Sequence, residues 1–284
     1  MDELLKGRIR VWLRSERALG LSSLPVREAE MAAPMAAQPV PAPEPPVVVP
    51  HEARESQPPV AKASPPLPVE LPVAPARDVE FAEPVLPREE KTRRLALINE
   101  QEVQGCTRCR LSQRRKHTVF GEGDVDAAIC FIGEGPGENE DLTGRPFVGA
   151  AGQKLDEMIA AMGLRRDQVF IANVVKCRPP GNRAPAPDEV EACTGYLERQ
   201  MEIIRPKVIV TLGLPATRYI TQSMLSMGRL RGQWHHWHGI KVMPTYHPAY
   251  MLRNYTLETR KAVWSDLQKV MAELGLRPGK GKSQ

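Results

Sequence analysis

The chain has 284 residues, with 39 Lys and Arg against 34 Asp and Glu, a formal net charge of +5. It holds no run of about eighteen apolar residues, so no membrane-spanning helix is expected. Its start, Met1-Asp2-Glu3-Leu4, lacks the apolar stretch of a secretory signal. A cytoplasmic protein is therefore expected, with its five cysteines as reduced thiols rather than disulfides.

Residues 1–20 place Leu4, Leu5, Ile9, Val11, Trp12, Leu13 and Leu19 at roughly helical spacing among charges, which predicts an amphipathic helix. Such a helix either packs on the rest of the protein or serves as a tethered docking element for a protein partner. Residues 21–92 read as a Pro/Ala-rich disordered linker, because 17 of the 28 prolines lie between Pro25 and Pro87. Residues 93–284 form the one expected domain. Residues 1–92 hold 11 basic and 14 acidic residues, which leaves 28 and 20 for the domain, a net +8. That excess suits a polyanionic partner, most simply nucleic acid.

Within the domain, strands and helices alternate. Apolar runs predict strands at 127–132, 169–175, 207–212 and 239–245. Helical periodicity predicts helices at 149–162, 188–204 and 257–274. This order implies an α/β fold of three layers, a mostly parallel sheet with helices on both faces, preceded by a disordered N-terminal extension. Ligands in such folds bind beyond the carboxyl ends of strands. The loops 134–149, 176–183 and 246–254 are expected to converge there.

Several residues invite chemistry. Cys106 and Cys109 form a C-x2-C pair, and Cys177 and Cys193 lie downstream with fifteen residues between them. Four thiolates from separated segments suggest one tetrahedral site for zinc or an iron–sulfur cluster. Cys130 sits in a predicted strand and reads as a buried apolar residue. Gly133-Glu134-Gly135-Pro136-Gly137 lets backbone N–H groups approach a ligand, but it matches neither a P-loop nor a dinucleotide fingerprint. Phe147, between glycine-flanked turns, is either a core residue or a stacking platform for a base. Asn173, inside an apolar strand, must find partners, and its amide matches a pyrimidine's imide edge. His247 follows a strand and precedes Pro248. Tyr250-Met251-Leu252-Arg253 mixes bulky apolar groups with a cation that can hold phosphate. His235, His236 and His238 are read as a surface turn within 231–239 rather than a metal site.

Together these pieces resemble the family 4 uracil-DNA glycosylases, the iron–sulfur, thermostable-type branch of that superfamily. The resemblance covers 97–274 and none of residues 20–92. It rests on the four cysteines, on Gly133–Gly137 with Gly144–Gly149, on Asn173-Val174-Val175-Lys176-Cys177-Arg178-Pro179-Pro180-Gly181-Asn182-Arg183, and on Thr245-Tyr246-His247-Pro248-Ala249-Tyr250. It implies a central four-stranded parallel sheet and a structural [4Fe–4S] cluster on Cys106, Cys109, Cys177 and Cys193. The reaction implied is hydrolysis of the N-glycosidic bond of a flipped-out deoxyuridine, leaving an abasic site. Phe147 would stack on uracil, Asn173 would read N3 and O4, and backbone at Glu134 and Gly135 would contact a carbonyl. His247 would donate to O2 as the base departs.

Superfamily relatives place an Asp where Gly135 stands, so Glu134 and Glu140 are the candidate carboxylates for the water. A second reading has Glu140 bond Asn182 and shape the pocket. Arg178, Arg183, Tyr250, Leu252 and Arg253 are the expected DNA contacts. Glu134 separates the chain from a sister family with an apolar residue there. The lack of histidine between Cys177 and Cys193 separates it from a covalent-trapping branch. Uracil-containing DNA, single- or double-stranded, is the expected partner of a monomer. The alternative is a non-catalytic nucleic-acid-binding protein with a structural zinc or iron–sulfur site.

Overall fold

A computed structural model describes residues 80–81 and 84–279. The expected amphipathic helix at 1–20, and all of the expected linker except its last residues, lie outside the described residues.

The centre is a six-stranded sheet ordered β1-β3-β2-β4-β6-β5. Its strands are β1 (Glu122–Gly123), β2 (Ile129–Gly133), β3 (Phe170–Asn173), β4 (Val208–Leu212), β5 (His235–Trp237) and β6 (Ile240–Thr245). The four strands β3, β2, β4 and β6 run parallel, as the resemblance implied. Short antiparallel strands close both edges, β1 on β3 and β5 on β6. Parallel strands buried on both faces read as continuous apolar runs, and Ile129–Gly133 and Val208–Leu212 are buried throughout.

Alternate residues of each strand feed two cores. Ile129, Phe131, Ile171, Val208, Val210 and Met243 pack under α3 (Ala150–Ala161) and α8 (Leu257–Leu274). Cys130, Ile132, Phe170, Ala172, Ile209 and Val242 pack under α4 (Pro187–Ile204) on the other face. The remaining helices are α1 (Arg88–Leu97), α2 (Glu138–Thr143), α5 (Leu214–Thr221), α6 (Met227–Leu230) and α7 (Pro248–Arg253). Local signals set the ends of the long helices. Pro187 opens α4, where its missing N–H costs nothing. Thr256 caps α8, its hydroxyl accepting from the Thr259 N–H at 3.1 Å, and Gly275 ends it with φ +64°.

Two sequence expectations need correction. The domain boundary at 93 falls inside α1, which begins at Arg88. Two basic side chains of this helix are bound to the rest of the domain: Arg88 donates to Asp124 and Asp126, and the buried Lys91 donates to Asp126 and to the Ile204 carbonyl. Proline density outweighed these anchors in the sequence. The stretch 231–239 is likewise not a plain turn, because it contains β5. His238 and Gly239, with φ +49° and +78°, make a two-residue hairpin that returns the chain into β6. Trp237 is buried beneath it, and period two places His235 and His236 on opposite faces.

Candidate active site

The parallel strands reverse direction of winding between β2 and β4, and the ends of β2, β3, β4 and β6 open together on one cleft of about 980 Å³. The three expected loops do converge there. The walls include Glu134, Gly135, Glu140, Phe147, Asn173, Asn182, Arg183, His247, Tyr250 and Arg253. Two further segments, 213–215 after β4 and 226–228 at the start of α6, complete the wall and were missed in the sequence. The available signal was Gly213, a glycine at the carboxyl end of a strand, whose φ is +88°.

Asn173 ends β3 directly beside Gly133 of β2. It is 1% exposed, and its Oδ1 is buried with no hydrogen-bond partner among the described residues. Phe147 approaches the same spot with φ +51°, a backbone region that costs a bulky residue about 1–3 kcal/mol. Gly133 makes this meeting possible. A Cβ there would lie 2.5 Å from Asn173 Oδ1 and 2.6 Å from Phe147 Cζ.

His247 stands at the mouth of β6, its ring centroid 5.6 Å from that of Phe147. The Ala249 N–H donates to His247 Nδ1 at 3.1 Å, so in the neutral ring the proton sits on Nε2. Burial, helped by the Arg253 charge and opposed by Glu140, lowers the pKa of His247 to about 4. The imidazole is therefore a neutral donor at physiological pH. Beneath it, the buried Asp266 accepts from the Thr245 hydroxyl at 2.8 Å and from the Arg231 guanidinium at 2.7 and 3.1 Å, fixing the end of β6 against α8.

The two carboxylates differ. Glu134 Oε1 is buried with no partner among the described residues, and burial raises its pKa. Glu140 is fully engaged: Oε1 accepts from the N–H groups of Val148 at 2.8 Å and Gly149 at 3.0 Å, and Oε2 accepts from Gly137 at 3.1 Å. Glu140 thus staples the two glycine loops together. It does not bond Asn182, whose Oδ1 accepts instead from Arg178 Nε at 2.7 Å. The position of Gly135 is tight as well, since a Cβ there would lie 2.7 Å from Val175 Cγ2.

The expected DNA contacts divide too. Tyr250 and Arg253 border the cleft, and Leu252 is exposed beside them. Arg253 has no carboxylate partner among the described residues. Arg183 is held by the buried Glu189, at 2.8 and 2.6 Å, which also accepts from Arg110. Arg178 also faces Glu138 at 3.5 Å. Arg183 lines the cleft and Arg178 stands just before its wall at Pro179; sequence position could not reveal their carboxylate partners.

Cys106, Cys109, Cys177 and Cys193 line one small cavity between the segment after α1, the loop after β3 and α4. None of them forms a disulfide. Arg115 Nη1 donates to Cys177 Sγ and the Lys176 backbone N–H to Cys193 Sγ, both at 3.2 Å. Burial raises the Cys177 pKa against the opposing Arg115 guanidinium, and raises that of Cys193 to about 11. Cys130 is apart from them, buried in β2 as expected. Among the described residues no three His, Cys, Asp or Glu side chains gather tightly enough to hold a single metal ion.

The arrangement is that of an α/β protein with a cleft at the switch point of its sheet, walled by a buried amide, an aromatic ring and a histidine. A family profile described as the uracil DNA glycosylase superfamily matches residues 120–268. Proteins named type-4 uracil-DNA glycosylase also match the chain. The one from Thermotoga maritima is 49% identical over 174 residues, 61% of this chain and 91% of its own length. Those from Sulfurisphaera tokodaii and Saccharolobus solfataricus are 51% and 48% identical, over 63% and 62% of this chain and 84% and 85% of theirs. The chain belongs to the uracil-DNA glycosylase superfamily and, within it, to the type-4 branch.

Proposed function

We propose that the protein excises uracil from DNA by hydrolysing the N-glycosidic bond, leaving an abasic site for base excision repair. The observation that carries this reading is the buried, unpartnered Asn173 Oδ1 facing Phe147 across Gly133. A buried acceptor of this kind costs about 1–3 kcal/mol unless a ligand N–H reaches it. Uracil N3–H is such a donor, and the Asn173 amide NH2 serves O4. The ring lies against Phe147, and the backbone of Glu134 and Gly135 meets a carbonyl.

Bond cleavage sends the glycosidic electron pair into the base, and charge gathers on O2. The neutral His247 donates Nε2–H to that oxygen and stabilises the leaving group. The sugar carbon, left electron-poor, is attacked by water; as the new C–O bond forms, the water's proton is released to solvent and balances the one the uracil anion takes up, giving neutral uracil and an abasic sugar. Glu134, with its unpaired buried oxygen, is the group assigned to orient that water. Glu140 is assigned a bracing role, because three backbone N–H groups occupy its oxygens. Arg253, Tyr250 and Leu252 meet the DNA strand, with Arg178 and Arg183 holding the rim loop.

Cys106, Cys109, Cys177 and Cys193 are assigned to a [4Fe–4S] cluster. The all-thiolate donor set suits it. No three such side chains among the described residues gather closely enough for a single ion, so the four thiolates would instead be shared by the irons of one cluster. Bound there, the cluster supplies a cross-link between three segments, two of which lead into the cleft loops. The test is incubation with a uracil-containing single strand followed by alkaline strand scission. Cleavage at the uracil supports the reading, and an intact strand refutes it.

A further inference from the structure

Among the described residues, six of the eight large apolar side chains that are exposed fall in two segments at the cleft. Tyr250 and Leu252 belong to the expected DNA-facing loop 246–254, and Tyr255 and Leu257 follow it directly into α8. Met224 and Leu225, 75% and 52% exposed, belong to the turn between α5 and α6, which neither the motifs nor the relatives' names assign. That turn runs directly into Ser226, Met227 and Gly228, which form part of the cleft wall.

The turn's backbone is held, so the exposure is not fraying. Gln222 takes φ +53° to end α5. The Leu225 N–H donates to Ser223 Oγ at 3.3 Å, and Arg218 Nη2 donates to the Met224 carbonyl at 3.4 Å. Single exposed apolar residues are ordinary, but two adjacent ones on a braced turn beside a ligand cleft mark a contact surface. The nearby charge is positive: Arg229 is exposed on α6, and Arg253 borders the same cleft.

We infer that Met224 and Leu225 form a second apolar contact with duplex DNA, packing against bases exposed when uracil leaves the stack. This rests on the uracil-excision reading. Apolar side chains that press into a duplex offset the cost of unstacking. A single strand has little stacking to disrupt and no partner strand to hold apart, so it needs the contact least. The turn is thus a positioning element for duplex substrate and touches no reacting atom.

The test compares the full-length wild type with the double variant Met224→Ala/Leu225→Ala, and with Val85→Ala as an exposed apolar control outside both segments. Excision at subsaturating enzyme is measured on a uracil·guanine duplex and on the matching single strand. Affinity for both is read by fluorescence anisotropy. The double variant is expected to lose at least tenfold in rate and affinity on the duplex, to stay within twofold on the single strand, and to melt like wild type. Val85→Ala should match wild type on both. Equal losses on both substrates would make the turn a mere support of the cleft and overturn the inference. No loss on the duplex would overturn it too, and would leave the patch to a protein partner. Failure of the wild type to cut any uracil would refute the excision reading by itself, while the anisotropy comparison would still decide the duplex contact.

Discussion

Replacing Glu140 by Gln separates a brace from a base. The carboxylate accepts three backbone hydrogen bonds, two on Oε1 and one on Oε2. An amide keeps one oxygen. With that oxygen on Val148 and Gly149, the amide NH2 faces the Gly137 N–H, donor against donor. One charge-assisted bond is lost, about 1.5–3 kcal/mol, and two others weaken, so a total of roughly 2–4 kcal/mol is expected. For a domain of this size that lowers the melting temperature by roughly 5–15 °C, at about 2–4 °C per kcal/mol. Single-turnover excision at saturating enzyme and 25 °C, well below the lowered transition, should fall less than about tenfold. Loss of a general base typically costs about 10²–10⁴ in rate. A hundredfold loss in a variant that melts like wild type would make Glu140 the base and refute this reasoning.

Three further outcomes follow from the site. His247 has an unfolded pKa near 6.5 and a folded value of about 4, so its contribution to stability is complete above about pH 6.5 and is lost as pH falls towards 4. Its titration should accordingly leave no inflection in the single-turnover rate near pH 6.5, with the acid limb nearer 4; a His247-dependent inflection at 6.5 would contradict the neutral-donor role. Gly133→Ala should fold, with about 1–3 kcal/mol of overpacking, but displace Asn173 and Phe147. Inhibition by free uracil should then weaken at least tenfold, and unchanged inhibition would sink the assignment of that pocket. Cys177→Ala should purify colourless where the wild type is yellow-brown, and its melting temperature should fall, since a link from Cys106 to Cys193 is worth about 4–5 kcal/mol by loop closure. A wild type with no visible absorption but bound zinc would replace the cluster assignment.

The parts of the protein that obey a period were legible in its sequence. The four parallel strands and α3, α4 and α8 appear within a few residues of their expected bounds, because burial on both faces makes continuous apolar runs and amphipathic helices repeat every 3.6 residues. Short edge strands carry no such signal. Glu122–Gly123 has only two residues, and His235–Trp237 hides a buried Trp237 between histidines. The cleft residues could be gathered from motifs, but their partners could not. Nothing in the spacing says that Glu140 meets three backbone N–H groups, or that Arg183 is tied to Glu189 six residues on. Those facts depend on how loops fold back, which side-chain sequence alone does not encode locally. The 226–228 wall escaped notice for the same reason.

The central claim is that the Asn173 pocket selects uracil for excision. Single-turnover release of uracil from a single-stranded oligonucleotide, by wild type and by Asn173→Ala of matched colour and melting temperature, tests it most directly. Two lost hydrogen bonds to the base are worth about 2–4 kcal/mol, roughly 30- to 1,000-fold in rate. The wild type should release uracil and leave an abasic site, with the variant slower by a factor in that range. Equal rates for the two proteins, or no uracil released by the wild type, would contradict it.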